Sequence, residues 1–121
     1  MSIFQTAQAS SGSTSNPTVY YAPITASASG ATSVVTATAS KKITVQSLLI
    51  TTNGAVNVKF QSHTTPTDLT GLMYFGANGG AAISSMQDNP GGLFQTNAGE
   101  QLDINLSGAV AVGGFLTYTL V

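Results

Sequence analysis

Apolar residues recur at every second position in the longest apolar segments of this chain, and no segment keeps the period of a helix. Ile43 and Val45 alternate with polar neighbours, and Leu48 and Ile50 continue in the opposite phase. Successive side chains of a β-strand point to opposite faces of a sheet. The change of phase therefore predicts one strand with a β-bulge near residues 46–47.

A first hairpin is predicted at Asn53-Gly54, directly after this strand. The Asn-Gly pair is typical of a type I′ turn, because both central residues of that turn adopt a positive φ. Val56, Val58 and Phe60 follow at every second position and predict the return strand, with polar residues between them. This pattern predicts two neighbouring antiparallel strands.

A second hairpin is predicted at the C-terminal end. Residues 102–106 alternate between apolar and polar, and a turn at 107–109 leads into a return strand at 110–120. Gly113-Gly114 interrupts that return strand, which indicates a bend or a close approach of two backbones. These two hairpins are the strongest local predictions of the sequence.

Short strands are predicted between the hairpins at 72–75, 82–84 and 93–95, separated by turns rich in Asn and Gly. Seven or eight short strands with such turns, and no helical segment, predict an all-β fold. We expect an antiparallel β-sandwich that is jelly-roll-like, because a jelly roll accommodates the long and irregular connection between the hairpins. An extended N-terminal arm would precede it.

The N-terminal segment differs in composition from the rest of the chain. Residues 1–40 contain 24 Ser, Thr or Ala residues and no charge, and their large apolar groups form short clusters. We expect residues 1–32 to form an arm or edge segment and residues 33–121 to form the β-sandwich domain. A disordered tail is the alternative. As candidate partner-binding residues, the sequence offers four apolar anchors for strand addition to a partner: Ile3, Phe4, Tyr20 and Tyr21.

Charge is scarce throughout the chain. Only seven residues are charged, or 6%, against roughly 25% in an ordinary soluble domain. Little self-repulsion then opposes association, so we expect a subunit of a larger assembly. Nucleic acid is excluded as a partner, because the chain has no Arg and the pair Lys41-Lys42 is its only basic cluster. No apolar segment is long enough for a membrane span, and no secretory signal is recognisable.

The residue types that support catalysis are nearly absent. The chain has no Cys, which excludes disulfides and thiolate metal sites and favours folding in the cytoplasm. His63 is the one histidine, and we expect it to be an exposed loop residue. Glu100 and Asp103 form a conceivable glycosidase pair, but no Trp is present to stack on a sugar. We expect no enzymatic activity, no catalytic residues, no cofactor and no metal.

An ordered series of short motifs runs from Lys41 to Val121 and covers about two-thirds of the chain. Its parts are Lys42-Ile43-Thr44-Val45 with Leu48, Asn53-Gly54-Ala55-Val56, Val58-Lys59-Phe60-Gln61-Ser62, Leu69-Thr70-Gly71-Leu72-Met73, Gly76-Ala77-Asn78-Gly79-Gly80, Asn89-Pro90-Gly91-Gly92-Leu93-Phe94-Gln95-Thr96, Gly99-Glu100 with Leu102 and Leu106, Ala109-Val110-Ala111-Val112-Gly113-Gly114 and Leu116-Thr117-Tyr118. In this series the chain resembles the small β-sandwich decoration, or cement, proteins of tailed bacteriophage heads.

The resemblance implies a jelly-roll-like fold, no enzymatic activity and a homotrimer on the outer surface of the virion. The partner would be the major capsid protein, and the chain would be made in the host cytoplasm. Related β modules occur in tail fibres and on bacterial surfaces, so a receptor- or carbohydrate-binding module is the alternative function. We expect a fibre module to belong to a longer chain, so a chain of 121 residues favours decoration.

Overall fold

The computed structural model describes residues 18–64, 66–85 and 90–121. These residues form ten β-strands and no helix, which confirms the predicted all-β class. The strands are β1 (Tyr20–Ala26), β2 (Gly30–Val35), β3 (Ile43–Thr52), β4 (Val56–Ser62), β5 (Thr67–Asp68), β6 (Met73–Phe75), β7 (Gly80–Ser84), β8 (Phe94–Gln95), β9 (Leu102–Leu106) and β10 (Val112–Leu120).

The strands form two antiparallel sheets that pack face to face. Sheet A has the order β1-β10-β3-β7, with β8 also paired to β3, and sheet B has the order β2-β9-β4-β5, with β6 also paired to β4. The chain crosses from one sheet to the other at most of its connections, so most strands that are neighbours in a sheet are distant in sequence. This arrangement of interleaved strands is that of a jelly roll and confirms the predicted sandwich.

The core lies between the two sheets and is formed by side chains that alternate along the long strands. Burying a large apolar side chain contributes about 1.5–3 kcal/mol before the entropic cost of ordering it. The buried apolar residues are Ala22, Ile24, Ala26, Val35, Ile43, Val45, Leu48, Ile50, Val56, Val58, Phe60, Leu102, Ile104, Leu106, Val112 and Leu116.

Both predicted hairpins are wrong. Strands β3 and β4 belong to different sheets, as do β9 and β10, so each turn carries the chain across the core and does not join neighbouring strands. Neither Asn53 nor Gly54 has a positive φ. The two crossings lie side by side, and the Asn53 amide donates a hydrogen bond to the Ala111 carbonyl at 2.9 Å. Alternation of apolar and polar residues identifies strands with one buried face. It does not show whether two such strands belong to the same sheet or to opposite sheets.

The predicted bulge and the predicted close approach are both confirmed. Thr117 of β10 pairs with Ser47, whereas Tyr118 pairs with Val45, so Gln46 is the extra residue of a bulge in β3. Gly114 has a φ of 138°, and a Cβ atom built there would lie 1.9 Å from the Leu49 carbonyl oxygen. Only glycine allows β10 to approach β3 this closely.

The N-terminal strands are edge strands of the sandwich. β1 pairs with β10 along its whole length, and β2 pairs with β9. The boundary predicted between residues 32 and 33 therefore divides β2. The buried residues of β1 are Ala22, Ile24 and Ala26, and two alanines beside one isoleucine give a weak hydrophobic signal in the sequence. Residues 1–17, which contain Ile3 and Phe4, lie outside the described residues.

Candidate interaction surface

Charge is divided unequally between the two sheets. The charged residues that lie in described strands are Lys59, Asp68 and Asp103, and all three belong to sheet B. The five strands of sheet A contain Tyr, Phe, Leu, Ala, Ser, Thr and other neutral residues throughout. The outer face of sheet A is therefore a neutral surface, and covering it requires no desolvation of a strand charge.

An apolar row crosses this outer face perpendicular to the strands. Pro23 pairs with Phe115, Phe115 pairs with Leu49, and Leu49 pairs with Ala82. Pro23, Leu49 and Phe115 each have a buried neighbour in their strand, so their side chains lie on the outer side. Ala82 lies on the same side as its partner Leu49. Phe115 and Leu49 are only half-buried, and they line a shallow hollow together with Ala82. We call this set of four residues the apolar row.

Tyr21 extends the apolar row at the β1 edge. The rings of Tyr21 and Phe115 are tilted against each other with centroids 5.4 Å apart. Tyr20 lies on the other side of β1, in phase with the buried Ala22 and Ile24, and stacks there on Tyr118 with centroids 5.3 Å apart. Tyr21 is 64% exposed and Tyr20 42%. Tyr20 and Tyr21 thus lie on opposite faces of β1, and only Tyr21 belongs to the outer face of sheet A. Both remain candidate partner-binding residues.

The polar side chains beside the apolar row bond to one another. The hydroxyl groups of Ser47 and Thr117 lie 2.5 Å apart, and the Gln46 amide donates to the Thr119 hydroxyl at 3.2 Å. A partner that covers these groups therefore does not have to replace their hydrogen bonds. This lowers the cost of burying the surface, since a polar group that is buried without a partner is destabilising.

The outer face of sheet B carries a hydrogen-bonded polar cluster around Asp103. The His63 Nδ1 atom lies 2.6 Å from the Asp103 Oδ2 atom, and the Gln101 amide donates to Oδ1 at 2.7 Å. Asp103 is on the outer side of β9, as its alternation predicts, yet it is only 3% exposed. His63 is an exposed turn residue, as expected, but it has a partner that the sequence did not reveal.

A second polar network lies nearby on β4 and β5. Lys59 forms an ion pair with Asp68 at 3.1 Å, and the Gln61 amide donates to Asp68 at 2.9 Å. The hydrogen bond from Gln61 lowers the pKa of the Asp68 carboxyl below its ordinary value, and the Lys59 ammonium lowers it further. The carboxyl thus stays charged at neutral pH, and the outer face of sheet B carries charge that the strands of sheet A lack.

The polar clusters do not form a catalytic arrangement in the described part of the chain. The Ser62 hydroxyl, adjacent in sequence to His63, donates to Glu100 at 2.5 Å and accepts from the Asn97 amide at 3.2 Å. Ser62 is fully buried, so it is not presented to a substrate. Among the described residues, no three His, Cys, Asp or Glu side chains are grouped as metal ligands, and no helix has the length and apolar character to cross a membrane.

Comparisons with protein-family models, curated proteins and solved structures find no match to this chain. The apolar row is the feature that sequence reasoning missed. Pro23, Leu49, Ala82 and Phe115 come from four strands that are far apart in sequence, so only the pairing of the sheet brings them together. The one signal available in the sequence was an apolar residue at an outward position, such as Leu49 between Leu48 and Ile50.

Proposed function

We propose that this chain is a non-enzymatic structural protein that attaches to other protein subunits through the outer face of sheet A. The observation that carries the proposal is the segregation of charge: the strand charges lie in sheet B, while sheet A presents the apolar row on a neutral surface. Contiguous exposed apolar patches on folded domains are typical of interaction sites. The core of an interface is likewise depleted in charge and enriched in aromatic residues.

The assembly we propose is a bacteriophage virion, in which a homotrimer decorates the outer surface of the capsid and stabilises it. The motif series from Lys41 to Val121 supports this choice of assembly, and the jelly-roll fold is one that viral capsid domains use. The partner is then the major capsid protein, and sheet B with its charged network faces solvent. The scarcity of charge supports a protein whose apolar surface is covered in its working state.

A receptor- or carbohydrate-binding module is the second candidate. The exposed rings of Tyr20 and Tyr21, on opposite faces of β1, favour it, because sugar rings stack on aromatic faces and jelly rolls also occur in lectins. The two candidates differ in the partner that these tyrosines contact. An array of immobilised glycans distinguishes them, because a lectin binds selected sugars and a decoration protein binds capsids only.

The experiment that tests the proposal is co-sedimentation of the full chain with phage heads that lack it. We expect saturable binding by the unmodified chain and a loss of at least about tenfold in affinity for Leu49→Lys, since a new charge at the centre of the apolar row must be desolvated. Ala31→Lys is the matched control, because Ala31 is exposed on sheet B. Equal binding by both variants would contradict the use of sheet A.

A further inference from the structure

The sandwich has four sheet edges, and three of them carry a device that blocks pairing with another strand. An edge strand presents unpaired N–H and C=O groups, which natural proteins protect with proline, bulges, short strands or charge. β1 has Pro23 at its centre, and β2 has a register shift between Ser33 and Val35. The other edge of sheet B has only the short strands β5 and β6 and the ion pair of Lys59 with Asp68.

The fourth edge, formed by β7, has none of these devices. Its five residues, Gly80–Ser84, contain neither proline nor charge, and all five are exposed. They pair with β3 in an unbroken register from Ser47 to Thr51. No strand among the described residues pairs with the outer edge of β7. β7 is therefore a regular strand of average length with one edge available for strand addition.

We propose that β7 pairs antiparallel with β7 of a second copy of this chain, around a two-fold axis at Ala82. This axis places Ala82 opposite Ala82 of the partner subunit and Ile83 opposite the partner's Ala81. Ile83 is 57% exposed in the single chain, and the pairing covers it with a small side chain that leaves room for it. Because β7 is uncharged, two copies meet without like-charge repulsion.

The pairing also extends the surface already described. Ala82 is the last residue of the apolar row, so a two-fold axis at Ala82 joins the rows of two copies into one continuous row on a ten-stranded sheet. The paired segment is short, about 16 Å for five residues, and covers much less than the roughly 800 Å² per partner of a standard interface. The contact is therefore weak between free chains. Its occupancy rises when a larger particle holds two copies side by side, because their effective concentration is then high.

This inference does not depend on the proposed trimer or on a capsid. A two-fold contact joins two chains whether these are free or belong to neighbouring trimers, because it uses the same strand on both sides. Its failure would leave the proposed attachment through the outer face of sheet A unaffected. The two proposals are thus tested separately.

Cysteine trapping tests the pairing cleanly, because the chain has no natural cysteine. Cα atoms of residues directly opposite each other in antiparallel strands lie about 4.5–5.5 Å apart, which is within the range of a disulfide. We expect Ala82→Cys to form a disulfide-linked dimer under mild oxidation at least about tenfold faster than Ala31→Cys, since pairing raises the local thiol concentration. Ala31 is the matched control, an exposed alanine in the protected edge strand β2.

A second measurement uses the unmodified chain. Amide hydrogen exchange in β7 should slow as the protein concentration rises, while exchange in β2 should not change. Cross-linking of the two variants at equal rates would overturn the proposal, as would exchange in β7 that is independent of concentration. A trapped Ala82→Cys dimer without the strand content of the unmodified chain, measured by circular dichroism, would overturn it as well.

Discussion

The phenol ring of Tyr21 lies against the phenyl ring of Phe115 on the outer face of sheet A, with the ring centroids 5.4 Å apart. The contact links an exposed residue of the edge strand β1 to the centre of the apolar row. It restricts the conformations of the Tyr21 side chain in the unbound protein. An aromatic group that is ordered in advance adds contact area at a low cost in side-chain entropy.

Substitution of Tyr21 should therefore weaken attachment and leave the fold intact. We expect Tyr21→Ala to reduce affinity for the assembly by about tenfold, the scale of a moderate interface contact. Tyr74→Ala is the matched control, because Tyr74 is 76% exposed on strand β6 of sheet B. Binding of the two variants is compared by co-sedimentation, and circular dichroism verifies the fold. An equal loss of affinity for both variants would count against an interface on sheet A.

Gly114 should be intolerant of any side chain. We expect Gly114→Ala to destabilise the fold by about 1–3 kcal/mol or more, because its positive φ is strained for other residues and its Cβ atom would overlap the Leu49 carbonyl. Gly108→Ala is the control, since a Cβ atom at Gly108 meets no atom within 4 Å. Urea denaturation measures both variants, and equal midpoints would show that β3 and β10 do not approach so closely.

The polar cluster on sheet B should contribute to stability and not to attachment. We expect Asp103→Ala to cost about 1–3 kcal/mol, because it leaves hydrogen-bonding groups of Gln101 and His63 without their partner. Capsid binding by the folded variant should stay within about twofold of the unmodified chain, since surface changes outside an interface have small effects. Urea denaturation and co-sedimentation provide the two measurements. A large loss of binding by the folded variant would indicate that sheet B, too, contacts the partner.

Two truncations should separate the arm from the sandwich. Removal of residues 1–17 should leave the strand content seen by circular dichroism unchanged and weaken attachment, because Ile3 and Phe4 are predicted anchors. Removal of residues 1–30 should abolish cooperative unfolding, since it deletes β1 with the buried Ile24 and exposes one side of β10. Undiminished attachment after the shorter truncation would exclude the arm as a partner-binding segment.

The local features of the fold were predictable from the sequence because they depend on neighbouring residues. The phase change between Val45 and Leu48 identified the bulge at Gln46, and Gly113-Gly114 identified the close approach to β3. Strand partners were not predictable. Asn53-Gly54 matched the composition of a hairpin turn, yet the strands before and after it belong to opposite sheets and pack against each other across the core. Burial across the core thus outweighed the turn preference.

The candidate surface was predictable only in part, for a related reason. Tyr20 and Tyr21 were recognised as apolar residues in a segment that is otherwise polar. The apolar row and the pairing of His63 with Asp103 were not, because each joins residues separated by 33 to 92 positions, and alternation within a strand does not show which strands pair. The asymmetry of charge between the sheets likewise appears only after each strand is assigned to a sheet.

The most direct test of the proposed function is quantitative mass spectrometry of purified phage particles produced with this chain. We expect the chain to copurify with the heads in many copies, in a fixed ratio to the major capsid protein that corresponds to one trimer per lattice site. Its absence from the particles, or its presence in a few copies with the tail fibres, would contradict a role in decorating the capsid.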